Sequence, residues 1–243
     1  MTTKHRKIAL ITGGNKGLGK EIGRQLGTLG YTVILAARDH RAGAAAAEEL
    51  VTAGCEAHTV RLEVTNPDDI AKLASHIETT FGKLDVLVNN AGISLEWDGK
   101  PTNADKVRRT LEVNLIAPFA ITEAMVPLLA RSDDARVINH SSMLGSMGST
   151  EKLWDHVGGF MSVGYSTSKA GLNMLTLIQS KSLANQGIAV AAAHPGWVKT
   201  DLGTDAAPME VDEGAKTVVD LVTMSREKFP HGQLWHKGER MPW

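Results

Sequence analysis

The chain has 243 residues, with 26 basic and 27 acidic side chains, a formal net charge of −1 and one cysteine. So balanced a charge creates no field that would gather nucleic acid or an anionic membrane. The lone Cys55 can neither close an internal disulfide nor anchor a zinc ion without partner ligands, so a small molecule is the expected partner.

Met1 to Lys7 is polar and basic, too little for a secretory signal, and no apolar run is expected to cross a bilayer, so the cytoplasm is the default location. Short β-branched or apolar runs then alternate with helix-length segments. Strands are predicted at Ile8–Thr12, Thr32–Ala37, Ala57–Leu62, Val86–Asn89, Arg136–Asn139 and Ala189–Ala193. This rhythm predicts an α/β fold with one doubly wound parallel sheet, helices on both faces and a single domain over residues 1–243. Ile22, Leu26 and Leu29 recur at helical spacing, with Gly30 as the stop. Ala42 to Leu50 favours helix, and Asn66-Pro67-Asp68 marks a loop before a helix near Asp69. Gly145 to Gly164, rich in glycine, serine and methionine, breaks the rhythm and is read as an inserted loop on the substrate side.

Chemistry enters first at Thr12-Gly13-Gly14-Asn15-Lys16-Gly17-Leu18-Gly19, between the first strand and the first helix. Glycines there let the backbone turn tightly and approach a diphosphate, whose charge the helix N-terminus favours. Farther along, Tyr165 and Lys169 lie four apart in a segment whose continuation, Ala170 to Leu177, favours helix; residues at that spacing share a face.

Taken with Asn89-Asn90-Ala91-Gly92, Asn114, Ser141-Ser142, Tyr165-Ser166-Thr167-Ser168-Lys169 and Pro195-Gly196, the glycine turn resembles the classical short-chain dehydrogenase/reductase family. The pieces occur in the family's order over nearly the whole chain. The longer interval between Ser142 and Tyr165 is similar to that of carbonyl reductase-like members, whose insertion there touches substrate and can block a subunit interface. The resemblance implies a Rossmann-type fold and an oxidoreductase that moves a hydride between a nicotinamide and a carbonyl or alcohol.

It also implies roles residue by residue. Tyr165 is the proton donor, Lys169 the ammonium that tunes it, Ser142 the hydroxyl that holds the substrate oxygen, and Asn114 the holder of a water in a proton relay. Ser142 is chosen over Ser141 because the family serine stands three before a glycine, here Gly145. The cofactor would meet Gly13, Asn15, Lys16, Gly17 and Leu18 at the turn, and Asn90, Ala91 and Gly92 after the fourth strand. Pro195, Gly196, Val198 and Thr200 would meet it after the sixth. Where the family often places an aspartate beside the adenine, this chain has Glu63 and then Val64, whose backbone would serve. Ala37 stands where NAD users tend to carry an acid; Arg38 beside it and Lys16 favour NADP(H), whereas Asp39 is the competing acid, one position late.

Pockets of such sheets open beyond the carboxyl ends of the strands, which makes Ile93, Trp97, Ser142, Met143, Trp154 and Trp197 candidate substrate contacts, suited to an apolar or aromatic ketone or aldehyde. His231 and His236 have no metal-binding spacing, and no metal is expected. The expected assembly is a monomer or homodimer, because Gly238 to Trp243 lacks the extension used by many tetrameric members. Two other readings stay open: an NADPH-binding redox regulator without turnover, and an NADP-dependent alcohol dehydrogenase working toward oxidation.

Overall fold

The computed structural model describes residues 6–97, 100–152, 154–157 and 162–243. Among them one eight-stranded sheet runs in the order β3-β2-β1-β4-β5-β6-β7-β8. Its strands are β1 (Ile8–Thr12), β2 (Thr32–Ala37), β3 (Glu56–Arg61), β4 (Val86–Asn89), β5 (Ala135–His140), β6 (Ile188–Ala193), β7 (Leu234–His236) and β8 (Glu239–Met241). All neighbours are parallel except β7 and β8. The chain is thus the expected doubly wound α/β fold of Rossmann type. The last two strands have no counterpart in the sequence reading: three residues each are too few for a periodic signal.

Alternation along the strands feeds two cores. Ala9 and Ile11 face one layer with Ile22 and Leu26 of α1 (Gly17–Thr28), Ala46 and Leu50 of α2 (His40–Thr52), and Val218 and Leu221 of α9 (Val211–Thr223). Ile8 and Leu10 face the opposite layer with Leu73 and Ile77 of α3 (Pro67–Phe81) and Ile121 and Met125 of α5 (Ala117–Leu129). Residues one apart on a strand point to opposite faces, so buried strands supply both layers at once. Cys55 is buried among the first set.

Three expectations need correction. Leu29 does not continue the helical run of Ile22 and Leu26: α1 stops at Thr28 and Leu29, 58% exposed, caps it as the chain turns through Gly30 at φ +87°. The segment 145–164 is not simply a loop. It carries two short helices, α6 (Met147–Lys152) and α7 (Trp154–Val157), and α8 (Val163–Ser182) begins inside it, while residues 153 and 158–161 lie outside the described residues. The expectation of no membrane-length apolar run also fails by length and composition. Ala104–Leu129 is long and apolar enough; it joins α4 (Ala104–Leu111) to α5 through the π-helical turn Glu112–Ile116. It is long because the π turn continues the helix without a break, and apolar because Ile121, Met125, Leu128 and Leu129 pack into the second core.

Candidate active site

The strand order reverses where β1 pairs with both β2 and β4, and at such a point the carboxyl ends of the strands leave a crevice. The glycine turn follows β1 and Asn90-Ala91-Gly92 follows β4, so the two segments flank that crevice. Gly13 and Gly17 have φ of +64° and +51°, and Gly14 N–H donates to Ala36 C=O at 3.1 Å. The turn is also close against its neighbours. A Cβ on Gly13 would fall 3.1 Å from Ala91 Cα, and one on Gly19 only 2.4 Å from the Gly13 carbonyl oxygen.

The helix that follows starts open. Lys16 occupies the cap position of α1 in extended conformation without a side-chain cap bond, and the first turn carries no acid. By contrast Asp39, Asn66 and Asn103 cap α2, α3 and α4 with their side chains. Uncapped amides at a helix start form an anion site, so the turn and α1 together fit a bound diphosphate. Asp39, accepting from the amides of Arg41 and Ala42 at 2.9 and 3.2 Å, is held as the cap of α2. Exposed Arg38 stands just before it at the end of β2. Lys16 pairs with Asp201, both largely exposed, which links the glycine turn to the loop after β6.

Glu63 and Val64 follow β3. The Glu63 carboxylate accepts from Thr65 N–H and Oγ1 at 3.4 and 3.2 Å, and the Val64 side chain is buried. Asn90 is also engaged with the scaffold: Nδ2 donates to Thr12 C=O at 2.8 Å and Oδ1 meets His140 Nδ1 at 2.9 Å. Thr12 Oγ1 in turn accepts from the amides of Asn90 and Ala91, each at 3.0 Å. Beyond β6, Gly196 has φ +96°, Val198 is buried and bridged to Met209, and a Cβ on Gly17 would lie 3.4 Å from Thr200 Cγ2. The segment from Pro195 to Thr200 thus returns to the glycine turn.

The chemical end of the crevice is assembled on α8. Tyr165 and Lys169 lie on one helical face, 7% and 5% exposed, with the ammonium 5.6 Å from the phenol ring centroid. Lys169 Nζ donates to His140 C=O at 2.7 Å. Burial pushes the Tyr165 phenol up to about 12, against a smaller downward pull from the Ser142 hydroxyl, and it pushes Lys169 down to about 8. Desolvation is the larger of the two effects on the phenol. Burial, with the nearby Lys169 charge, also keeps His140 neutral by lowering it to about 3.

The two serines separate clearly. Ser141 Oγ turns inward to Asn173 Oδ1 at 2.5 Å, whereas Ser142 caps the 3-10 turn Met143–Gly145, accepting from Leu144 N–H at 3.1 Å, and lies beside Tyr165. Asn114, fully buried in the π turn, accepts from Ile93 N–H at 2.9 Å and donates to Ile93 C=O at 2.8 Å and Ser168 Oγ at 3.0 Å. A Cβ on Gly92 would lie 3.4 Å from Asn114 Oδ1 and 3.7 Å from Lys169 Nζ, so these two polar groups border the same space. Single π turns inside helices are frequent at functional sites.

Of the wall candidates, Trp97 lies against Tyr165 with ring centroids 5.0 Å apart. Ile93 is fastened to Asn114 and half-buried Met143 follows Ser142. Trp197, 43% exposed, donates to Gly203 C=O at 2.6 Å; Trp154, 57% exposed, sits on α7. The sequence reading missed His140, Asp201 and Glu96, each of which acts through partners far away along the chain, where local spacing carries no signal.

Comparison with known proteins agrees with this architecture. The short chain dehydrogenase family matches residues 7–211. A short-chain dehydrogenase/reductase of Saponaria officinalis is 32% identical, covering 98% of this chain and 96% of that protein. An NADPH carbonyl reductase of Rattus norvegicus is also 32% identical, over 94% of this chain and 95% of its own length. Among solved structures, the NADPH-bound carbonyl reductase from chicken fatty liver superposes with a TM-score of 0.85 at 29% identity, covering 98% of this chain and all (100%) of that one. With the glycine turn at the sheet's switch point and the tyrosine and lysine on one face of the helix behind it, the chain belongs to the short-chain dehydrogenase/reductase family.

Proposed function

We propose that the protein is an NADP(H)-dependent carbonyl reductase acting on small ketones or aldehydes, with Tyr165 as the proton donor. The observation that carries this reading is the placement of Tyr165, Lys169 and Ser142 at the buried end of a crevice whose other end is an open, glycine-lined helix start. Similarity to NADPH carbonyl reductases supports it. Gly13, Asn15, Gly17 and Leu18 would hold the diphosphate side of the dinucleotide, and Arg38 with Lys16 its extra phosphate. Val64 would offer backbone, since the Glu63 carboxylate is already bonded, and Asn90 to Gly92 and Pro195 to Thr200 would form the two walls. When bound, the reduced nicotinamide supplies the hydride.

The residues of the chain supply everything else. The Ser142 hydroxyl donates a hydrogen bond to the carbonyl oxygen and fixes its position, keeping its own proton. Tyr165 delivers the proton that neutralises the developing alkoxide. A phenol raised to about 12 is protonated near neutrality, the form a donor needs. Lys169, charged below about 8, stabilises the phenolate left behind, and its bond to the His140 carbonyl holds the ammonium in place. Asn114 borders the space beside Lys169 through which a water would return the proton.

The test is NADPH consumption against a panel of ketones, aldehydes, quinones and sugars, with NADH in parallel. Turnover of apolar or aryl carbonyls with preference for NADPH is expected. Tight NADPH binding with no consumption would replace the reductase by a redox-sensing binder.

A further inference from the structure

The loop after β4 carries a carboxylate not used in the steps above. Glu96 Oε2 accepts from the backbone N–H groups of Gly164 and Tyr165 at 2.7 and 3.0 Å, and Oε1 accepts from Thr102 Oγ1 at 3.0 Å. These amides belong to the first turn of α8, where Ser162, at the cap position, makes no side-chain cap bond. The helix bearing Tyr165 is therefore capped by a residue 68 positions away from Gly164.

Two further observations show a built contact. A Cβ on Gly164 would stand 2.8 Å from Glu96 Oε2, so the absence of a side chain there admits the carboxylate. Burial alone would raise the Glu96 carboxyl, yet the amides of Tyr165 and Gly164 and the hydroxyl of Thr102 hold it below the usual carboxylate range. The next residue, Trp97, lies against the Tyr165 ring at 5.0 Å. One short loop thus fixes both the backbone and the ring of the same tyrosine.

We infer that Glu96 is a positioning residue for proton delivery: it fastens the first turn of α8 and sets Tyr165 and Trp97 relative to the substrate oxygen without touching substrate itself. Tyr165 is in the first turn, where helix ends fray unless their amides are satisfied. A proton donor must reach within roughly 3 Å of its acceptor, and a misplacement of about 1 Å can cost about a hundredfold. Anchoring by an anion also matches the positive end of the helix dipole.

The inference rests on Tyr165 being the donor, so the Tyr165→Phe variant is assayed beside it. Glu96→Ala is expected to lower kcat by about 10- to 100-fold while the NADPH Kd stays within about threefold. Glu96→Gln, which keeps an acceptor oxygen, is expected to recover kcat to within about fivefold of the parent. Should Glu96→Ala not fold, Thr102→Val, which removes only the support of Oε1, is expected to lower kcat about threefold at unchanged Kd. An unchanged kcat in the folded variants overturns the inference, as does a loss shared equally by kcat and NADPH affinity with no rescue by glutamine. Turnover retained by Tyr165→Phe would instead sink the donor assignment.

Discussion

The starts of α1 and α8 both carry glycine in the first turn, and neither is capped by the side chain at its own cap position. They are completed in opposite ways. At α1 the first turn lacks an acid, and Lys16 and Arg38 beside it are exposed. At α8 the Glu96 carboxylate closes the first turn, and the side chains behind it are almost fully buried. An open positive end suits a mobile anion that must arrive and leave. A closed one suits a side chain that must stay still, and burial there changes acidity in a way exposure cannot.

The largest expected effect tests whether the closed end is where the chemistry resides. Tyr165→Phe should lower turnover by about a thousandfold or more while NADPH binding, followed by fluorescence titration, stays within about threefold. The open end should behave in the reverse manner. Replacing Lys16 and Arg38 together by alanine should weaken NADPH by about a hundredfold, taking the low end of charge-assisted bond strengths because both groups are exposed, and leave NADH nearly unchanged. Its NADPH affinity should also lose salt dependence, since exposed charges are screened. Equal losses for both cofactors would remove the distinction between the two ends.

Acidity offers a third way to sharpen the contrast. Lys169, lowered to about 8 by burial, is charged below that pH and neutral above it, so reduction should hold steady below about 8 and fall about tenfold per pH unit beyond it. Stability should move the other way. Between about 8 and the ordinary 10.5 the unfolded chain binds a proton at this lysine that the folded chain does not, so the Lys169 contribution to folding becomes more favourable as pH rises. Activity falling while the melting temperature holds would separate titration from unfolding; a flat rate profile through pH 9 would contradict it. The smallest effect is expected from Asp201→Asn, which frees Lys16 from its partner and should tighten NADPH about threefold, as befits an exposed pair. Weaker binding in a direct titration would show that Asp201 supports the site rather than competes within it.

How much of this was legible beforehand follows from how local each feature is. β1, β2 and β4 occupy the residues their apolar runs predict, and the glycine turn lies directly between β1 and α1. Arg38 is at the end of β2, and Asp39, the competing acid beside it, is engaged as the cap of α2. Tyr165 and Lys169 share a face because helix geometry alone requires it at a spacing of four. In each case the physical cause acts within a few residues, through strand alternation, helical period or glycine's freedom at positive φ.

Other features depend on segments that meet only after folding. Ser141 and Ser142 are adjacent in the chain, and it is the meeting of β5 with α8 that turns one toward Asn173 and leaves the other beside the phenol. Asn114 gains its partners Ile93 and Ser168 from a loop and a helix on either side of it. Burial raises the Tyr165 phenol, since desolvation is a property of everything packed around a group rather than of its neighbours in sequence. Glu96 is the extreme case: nothing in Leu95-Glu96-Trp97 signals a helix cap, because the amides it binds belong to another element. The amino-acid order was sufficient for the first six strands, the glycine turn and the tyrosine–lysine pair, which arise from short-range backbone geometry. The protonation states, the partners of the two serines and the anchoring of the tyrosine required the folded chain, because they are set by long-range contacts and the water those contacts exclude.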